Sequence, residues 1–284
     1  MIRNKITVFS LALATALAAC NNSTQDASGE QSADSLSSDN SGIPNEMTEA
    51  KFSKLVVDIP IGPDVLKGLQ ETGIEYRKSL LNPTDKAAKY VTNYKRAVNY
   101  GIYGVDVSYI STYNQMQDAL QYFLAARDMA KSLGIEKIFD DFVKQTAIEK
   151  TGLNKENIGG INELVFSTMD NYLISNKRLE VATLITTGAW VESQYIALNA
   201  LGGRALSEKT KFIYDKLWEQ KLHINNLVAL LAEYKANEDF KELIPLIDGY
   251  AKLYDEVKAP ESFTPEIIKS LTNQINAVRS KIVE

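Results

Sequence analysis

Two long stretches of the chain carry almost no charge. The stretch 97–117 contains one charged residue, Asp106, and the stretch 181–203 contains one, Glu192. Asn, Gln, Ser, Thr and Tyr occur throughout both, so neither is apolar enough to span a membrane. A helix without charge on any side is most simply a central helix that is surrounded by other helices. The two stretches therefore predict two helices in the core of the fold.

Both stretches also carry small residues at helical spacing. Such residues line one face of a helix and let another backbone approach closely. Glycine inside a helix costs about 1 kcal/mol relative to alanine, so two neighbouring glycines indicate a packing requirement. We therefore expect the two helices to cross in the middle of the fold. The small residues are Ala97, Gly101, Gly104, Ser108 and Ser111 in the first stretch, and Ala182, Thr186, Ala189, Ser193, Ala197 and Ala200 in the second.

The rest of the body shows helical periodicity and no alternating strand pattern. Thr264 and Pro265 are typical of a helix start, and an apolar stripe follows them at every third or fourth position. Pro245 predicts a kink or two shorter helices within 240–254. The prediction is an all-α fold: one irregular bundle or array of about eight or nine helices over 51–284, with two central, largely uncharged helices. The other predicted helices span about 63–72, 116–134, 136–150, 155–174, 177–201 and 207–236.

The first twenty residues, MIRNKITVFSLALATALAAC, indicate export. Arg3 and Lys5 precede an apolar run that is too short for a stable membrane span. The run ends in LAAC, which resembles the lipobox of bacterial lipoproteins, in which the cysteine is lipidated and begins the mature protein. Cys20 is the only cysteine in the chain. We expect a lipoprotein signal peptide over 1–19 and a lipid anchor at Cys20, the alternative being an ordinary signal peptide with an accidental cysteine.

Residues 21–50 have the composition of a flexible tether. They contain no aromatic residue and no Lys or Arg, so they cannot bury enough apolar surface to fold. A coil of this length spans roughly 30 Å. Asn21, rather than Asp, follows Cys20, which resembles Gram-negative lipoproteins that are sorted to the outer membrane. The expected location is the outer membrane, on a face that the sequence leaves open.

Composition argues against several functional classes. The net charge is −5, and most of it lies before the body, which has no basic run suited to nucleic acid. One histidine and one cysteine leave little material for a metal or haem site, so we predict no metal and no cofactor. The chain also lacks a glycine-rich phosphate loop and a nucleophile elbow.

The two isolated acids are the candidate functional residues. A buried carboxylate must find a partner or stay protonated, and Arg96, Arg178 or Arg204 could pair with one of them. At 100° per residue, Asp106 lies nearly opposite the small residues of its own helix. The acids could be satisfied core residues that fix helix register, walls of a ligand pocket, or a general acid/base pair. The candidate ligand pocket consists of Tyr103, Asp106, Tyr113, Glu192 and Tyr195.

Three segments carry a resemblance to a known group. They are LNP at 81–83, the tyrosine-rich segment 90–115 that includes NYGIYGVDVSYISTYNQ, and GAWVESQYIA at 188–197. Together they resemble a group of uncharacterised, all-helical lipoproteins of Bacteroidota, and the resemblance covers roughly 60–260. It implies a lipid anchor and a helical fold, and it gives no residue a catalytic role.

The expected function is that of a non-enzymatic lipoprotein of the cell envelope. In this reading a helical interaction or scaffold domain is tethered to the membrane through Cys20 and meets an unknown envelope protein. The alternative is a small-molecule binder with its pocket between the central helices. An enzyme would need a bound metal, or a strongly raised carboxyl pKa beside a cavity.

Overall fold

A computed structural model describes residues 47–56, 63–138, 165, 168–169 and 171–284. The predicted signal peptide, Cys20 and nearly all of the tether lie outside these residues. Most of the predicted helices 136–150 and 155–174 also lie outside them.

The described residues are all helical or loop, without a strand, which confirms the all-α fold class. In the described part of the chain, five short 3₁₀ helices lie between the α-helices, two of them at Lys78–Leu80 and Thr84–Lys89. The α-helices that are described over their full length are α1 (Glu49–Val56), α2 (Pro63–Glu71), α3 (Asn93–Thr112), α4 (Met116–Ser132), α5 (Leu179–Leu201), α6 (Lys211–Ala232), α7 (Leu243–Leu253) and α8 (Pro265–Val283).

Hydroxyl side chains cap the starts of several helices. The Thr264 hydroxyl accepts a hydrogen bond from the backbone of Ile267, with Pro265 at the first position of α8, as predicted. Thr48 accepts in the same way from Lys51 at 3.2 Å. Phe52, one residue further along, is fully buried. Helix α1 therefore begins before residue 51, the predicted start of the domain, because a capped turn and a buried phenylalanine hold it.

The segment around Pro245 holds two short helices, one of the two outcomes predicted, but the break precedes the proline. A 3₁₀ helix at Glu238–Phe240 is followed by α7, and Pro245 lies in the first turn of α7. The backbone N–H of that turn has no partner within the helix, so proline is tolerated there.

The two largely uncharged helices are central, as the composition predicts. Most of α3 and nearly all of α5 are buried, and the contact between them is the most extensive of any helix pair in the described residues. A Cβ added to Gly101 would lie 2.7 Å from the backbone nitrogen of Ala189 and closer still to the carbonyl oxygen of Ile185. A Cβ on Gly188 would lie 2.8 Å from the carbonyl carbon of Val98 and closer to its oxygen.

The prediction was that the small-residue face of α3 would pack on the small-residue face of α5. The observed crossing of α3 and α5 differs from this. On α3 it uses Gly101, which belongs to the predicted small face. On α5 it uses Gly188 together with Ala189; Ala189 belongs to the predicted small face, whereas Gly188 lies well away from it around the helix. Since α5 is buried on nearly every side, hydrophobic periodicity does not reveal which face meets α3.

The other helices surround this crossing. Helix α4 packs on α3, and α8 packs across α5 with a smaller contact to α3. Helix α2 contacts α3, α5 and α6, while α7 contacts both α6 and α8. Within the described part of the chain, no helix is both long and apolar enough to cross a membrane.

Candidate functional site

The two isolated acids meet in the core. Asp106 comes from α3 and Glu192 from α5, and neither side chain has any exposed surface. Their carboxyl groups are within hydrogen-bonding reach of each other. The close approach of the two backbones at Gly101 and Gly188 explains this, because Glu192 lies one turn after Gly188 on the face of α5 that meets α3. The same crossing that packs the core therefore also creates an acid pair.

The basic partner of the pair is Arg279 of α8. Its Nε donates to Glu192 Oε2 at 2.6 Å and its Nη2 to Glu192 Oε1 at 2.9 Å. This two-pronged geometry is the strongest that an arginine and a carboxylate form. The guanidinium also lies 4.1 Å from the ring centre of Tyr195, and Nη2 donates to the carbonyl of Leu80 at 3.2 Å. The arginine is thus held by a carboxylate, a ring face and a backbone carbonyl.

The three arginines proposed from the sequence as partners bind elsewhere, so that prediction is wrong. Arg96 donates to the carbonyl of Tyr90, and Arg178 donates to the carbonyl of Leu133. Arg204 donates to two carbonyls at the end of its own helix. Nearness along the chain suggested these residues, whereas α8 brings in Arg279 from 87 positions beyond Glu192. One signal was present: Arg279 is the only arginine after Arg204, and it adjoins the apolar stripe of α8.

The segment 80–83 closes over the acid pair. The backbone N–H of Asn82 donates to Asp106 Oδ2 at 3.1 Å, and the carbonyl of Pro83 accepts from the Tyr103 hydroxyl at 2.8 Å. The Asn82 side chain is fully buried and donates to the Tyr90 hydroxyl at 3.0 Å and to Asn99 at 3.3 Å. The segments on which the family resemblance rests therefore meet at one buried network.

Of the three tyrosines in the predicted pocket, two border this network. Tyr103 holds Pro83, and Tyr195 lies against Arg279. Tyr113 lies elsewhere: its hydroxyl donates to the carbonyl of Ile74 at 2.7 Å, and its ring packs against that of Tyr109, with centres 5.0 Å apart. Its backbone N–H still donates to the carbonyl of Tyr109, so it keeps the helical spacing. It lies about two helical turns beyond Asp106, however, and a shared face therefore does not bring the two side chains together.

Burial raises the pKa of Asp106 well above its ordinary value, and the negative charge of Glu192 raises it further. Arg279 and the N–H of Asn82 act in the opposite direction, because both favour the ionised form. A hydrogen bond with the Glu192 side chain again favours the protonated form. Asp106 Oδ1 receives no donor from the described residues. The arrangement suits a carboxyl group that keeps its proton.

Open grooves lie away from the acid pair. One of about 450 Å³ runs between α4 and the 3₁₀ helix Thr84–Lys89, and Arg96, Leu124 and Asp128 contribute to its walls. Another of about 620 Å³ lies at the start of α1, beside Lys177 and Tyr234. Neither is lined by Asp106, Glu192 or Arg279. Among the described residues, no group of three or more His, Cys, Asp or Glu is placed to hold a metal ion.

Comparison of the chain with protein-family models, with curated proteins and with solved structures gives no match. A function is therefore inferred from the sequence, the all-α fold and the buried acid pair.

Proposed function

We propose that the protein is a non-enzymatic lipoprotein of the cell envelope, in which a helical interaction or scaffold domain is tethered to the outer membrane. The main observation in support of a non-enzymatic role is that the acid pair is buried and its hydrogen bonds are made within the protein. Glu192 is occupied by Arg279 through two hydrogen bonds, and Asp106 is bound by Asn82 and Glu192. These contacts leave no exposed carboxyl surface for a substrate.

An enzyme of the acid/base type needs a raised carboxyl pKa beside a cavity that admits substrate. Asp106 has the raised pKa, but the grooves described above lie at other residues. Glu192 is fully buried and Arg279 nearly so, and a pair of this kind is costly to break because one charge would be left buried without its partner. The geometry thus supports a structural role, in which both acids fix how α3, α5 and α8 pack against one another.

The alternative proposal, a small-molecule binder with a pocket between the central helices, is less well supported. Tyr103, Asp106 and Glu192 are buried without exposed surface, and Tyr113 faces Ile74. A ligand would have to break the hydrogen bonds of Asn82 or Arg279 to reach the acids. The size of the groove beside α4 lies in the range of small-molecule sites, so any ligand is better accommodated there.

The anchor rests on the sequence alone, with LAAC at 17–20 and a tether after it. Two acyl chains hold a protein stably on a membrane, since each buried methylene contributes about 0.8 kcal/mol. The test is labelling with radioactive palmitate, combined with separation of soluble, inner-membrane and outer-membrane fractions. The wild type should incorporate label and be found in the outer membrane.

Two variants complete this test. Cys20→Ala should lose the label and move to the soluble fraction. Asn21→Asp should keep the label but shift towards the inner membrane, which separates lipidation from sorting. If Cys20→Ala stays in the membrane pellet, the proposed anchor is wrong. If Asn21→Asp changes nothing, only the sorting argument is wrong.

A further inference from the structure

The centre of the fold presents two acids to one base. Glu192 and Arg279 satisfy each other's charge through two hydrogen bonds. Asp106 is left with one N–H donor, from Asn82, for its two oxygens, and Oδ1 is buried without a donor from the described residues. Its carboxyl group nevertheless lies within hydrogen-bonding reach of Glu192. Two carboxylates repel at this distance unless a proton lies between them.

We infer that Asp106 and Glu192 share one proton, and that this proton-bound pair locks the segment 80–83 onto α3, α5 and α8. The proton supplies the donor that the surrounding side chains do not. It also balances the charge, because a neutral Asp106 leaves Glu192 and Arg279 as one opposite pair in a medium of low polarity. Without the proton, the same place would hold one uncompensated negative charge.

The charged and titratable groups that face the acid pair from the surrounding helices are consistent with one shared proton. Arg279 of α8 is the cation among them, and the others are tyrosines whose pKa is raised by burial, so they remain neutral at ordinary pH. More distant charges, Asp85, Asp118 and Arg77, act on these tyrosines. The tyrosines are Tyr90 in the segment before α3, Tyr103 on α3, Tyr122 on α4 and Tyr195 on α5.

The shared proton makes the lock sensitive to pH. Asp106 binds its proton more tightly in the folded protein than in the unfolded chain, where aspartate has a pKa of about 3.9. The resulting stability is fully present below that value and is lost as pH rises through the higher folded-state pKa. Over this window the unfolding equilibrium constant should grow by up to about tenfold per pH unit on account of this one proton.

Asp106→Asn tests this linkage, because the amide copies the protonated carboxyl: its oxygen can accept from Asn82 and its NH₂ can donate to Glu192. Urea unfolding from pH 5 to pH 9 should show that the variant lacks the wild-type loss of stability with rising pH. Asp85→Asn, the same change on an exposed side chain of the neighbouring 3₁₀ helix, should keep the wild-type slope. Equal slopes for all three proteins would overturn the inference.

Infrared spectroscopy at pH 6 tests the proton directly and still applies if Asp106→Asn folds poorly. Exposed carboxyls are ionised at that pH, so a carbonyl band of a protonated acid must come from a buried group. The folded wild type should show this band, and unfolding in urea at the same pH should abolish it. Absence of the band in the folded wild type would overturn the inference, and so would its persistence in folded Asp106→Asn.

The lock itself is read from hydrogen exchange of the backbone N–H of Asn82, which donates to Asp106. After correction for the intrinsic rate at each pH, its protection in the wild type should fall as pH rises. Its protection in Asp106→Asn should stay constant. A wild-type protection that does not depend on pH, in contrast, would show that the proton does not hold the segment.

Discussion

The crossing of α3 and α5 gives the sharpest prediction about stability. Alanine at Gly188 gains about 1 kcal/mol of helix propensity. Its Cβ, however, would lie 2.8 Å from the carbonyl carbon of Val98 and 3.2 Å from its Cα. These are backbone atoms that cannot rotate away, so the helices must separate. Overpacking of this kind costs roughly 1–3 kcal/mol or more, and the upper end applies to a rigid neighbour.

The net expectation for Gly188→Ala is a loss of about 2 kcal/mol in the free energy of unfolding. For a domain of about 235 residues, this lowers the melting temperature by roughly 4–8 °C. The matched control is Gly249→Ala within α7, where the nearest atom to the new Cβ is the amide nitrogen of the flexible Gln274 side chain, at 3.4 Å. There the gain in helix propensity should dominate, and stability should rise by up to about 1 kcal/mol.

Both variants are measured by urea unfolding followed by circular dichroism, with thermal melting as a second readout. The two variants should change the free energy of unfolding in opposite directions, with a loss for Gly188→Ala and a gain for Gly249→Ala. If Gly188→Ala is as stable as the wild type or more stable, the close backbone contact is not present and the crossing is misplaced.

Two further predictions concern a buried charge and a helix cap. Arg279→Ala leaves Glu192 buried and unpaired and should cost about 3–5 kcal/mol in urea unfolding, whereas the double variant Arg279→Met/Glu192→Leu should recover most of that loss. If the double variant is no more stable than Arg279→Ala, the loss in Arg279→Ala is not only the cost of leaving Glu192 buried without a partner. The ion pair itself then stabilises the fold. Thr264→Ala removes the hydroxyl that caps α8 and should cost about 1 kcal/mol, while Thr264→Ser should stay within a few tenths of the wild type.

The parts of the fold that depend on local chemistry could be predicted from the sequence. Capping at Thr264, the two short helices around Pro245 and the lack of strands in the described residues all follow from residues that act on their own neighbours. The central position of α3 and α5 also follows, because each contains a long stretch with a single charged residue and therefore has no charged face that prefers water. These predictions required no knowledge of how distant segments meet.

The candidate site depended on such knowledge. Asp106 and Glu192 were identified because each is the single charged residue in a long stretch, 97–117 and 181–203 respectively. Their partner Arg279 was missed, since its position depends on the angle at which α8 crosses α5. Tyr113 was wrongly placed beside them for a different reason: it shares a face with Asp106 but lies about two helical turns further along the chain, where its hydroxyl binds Ile74.

The proposed function is tested most directly by the mass of the native protein, isolated from its own outer membrane in a mild detergent. The account predicts a mature chain that begins at Cys20 and carries acyl groups. It also predicts that no small molecule of fixed mass leaves the body when the chain is unfolded. An unlipidated chain would contradict the anchor. A fixed extra mass that is lost only on unfolding would contradict the closed core and favour the ligand-binding alternative.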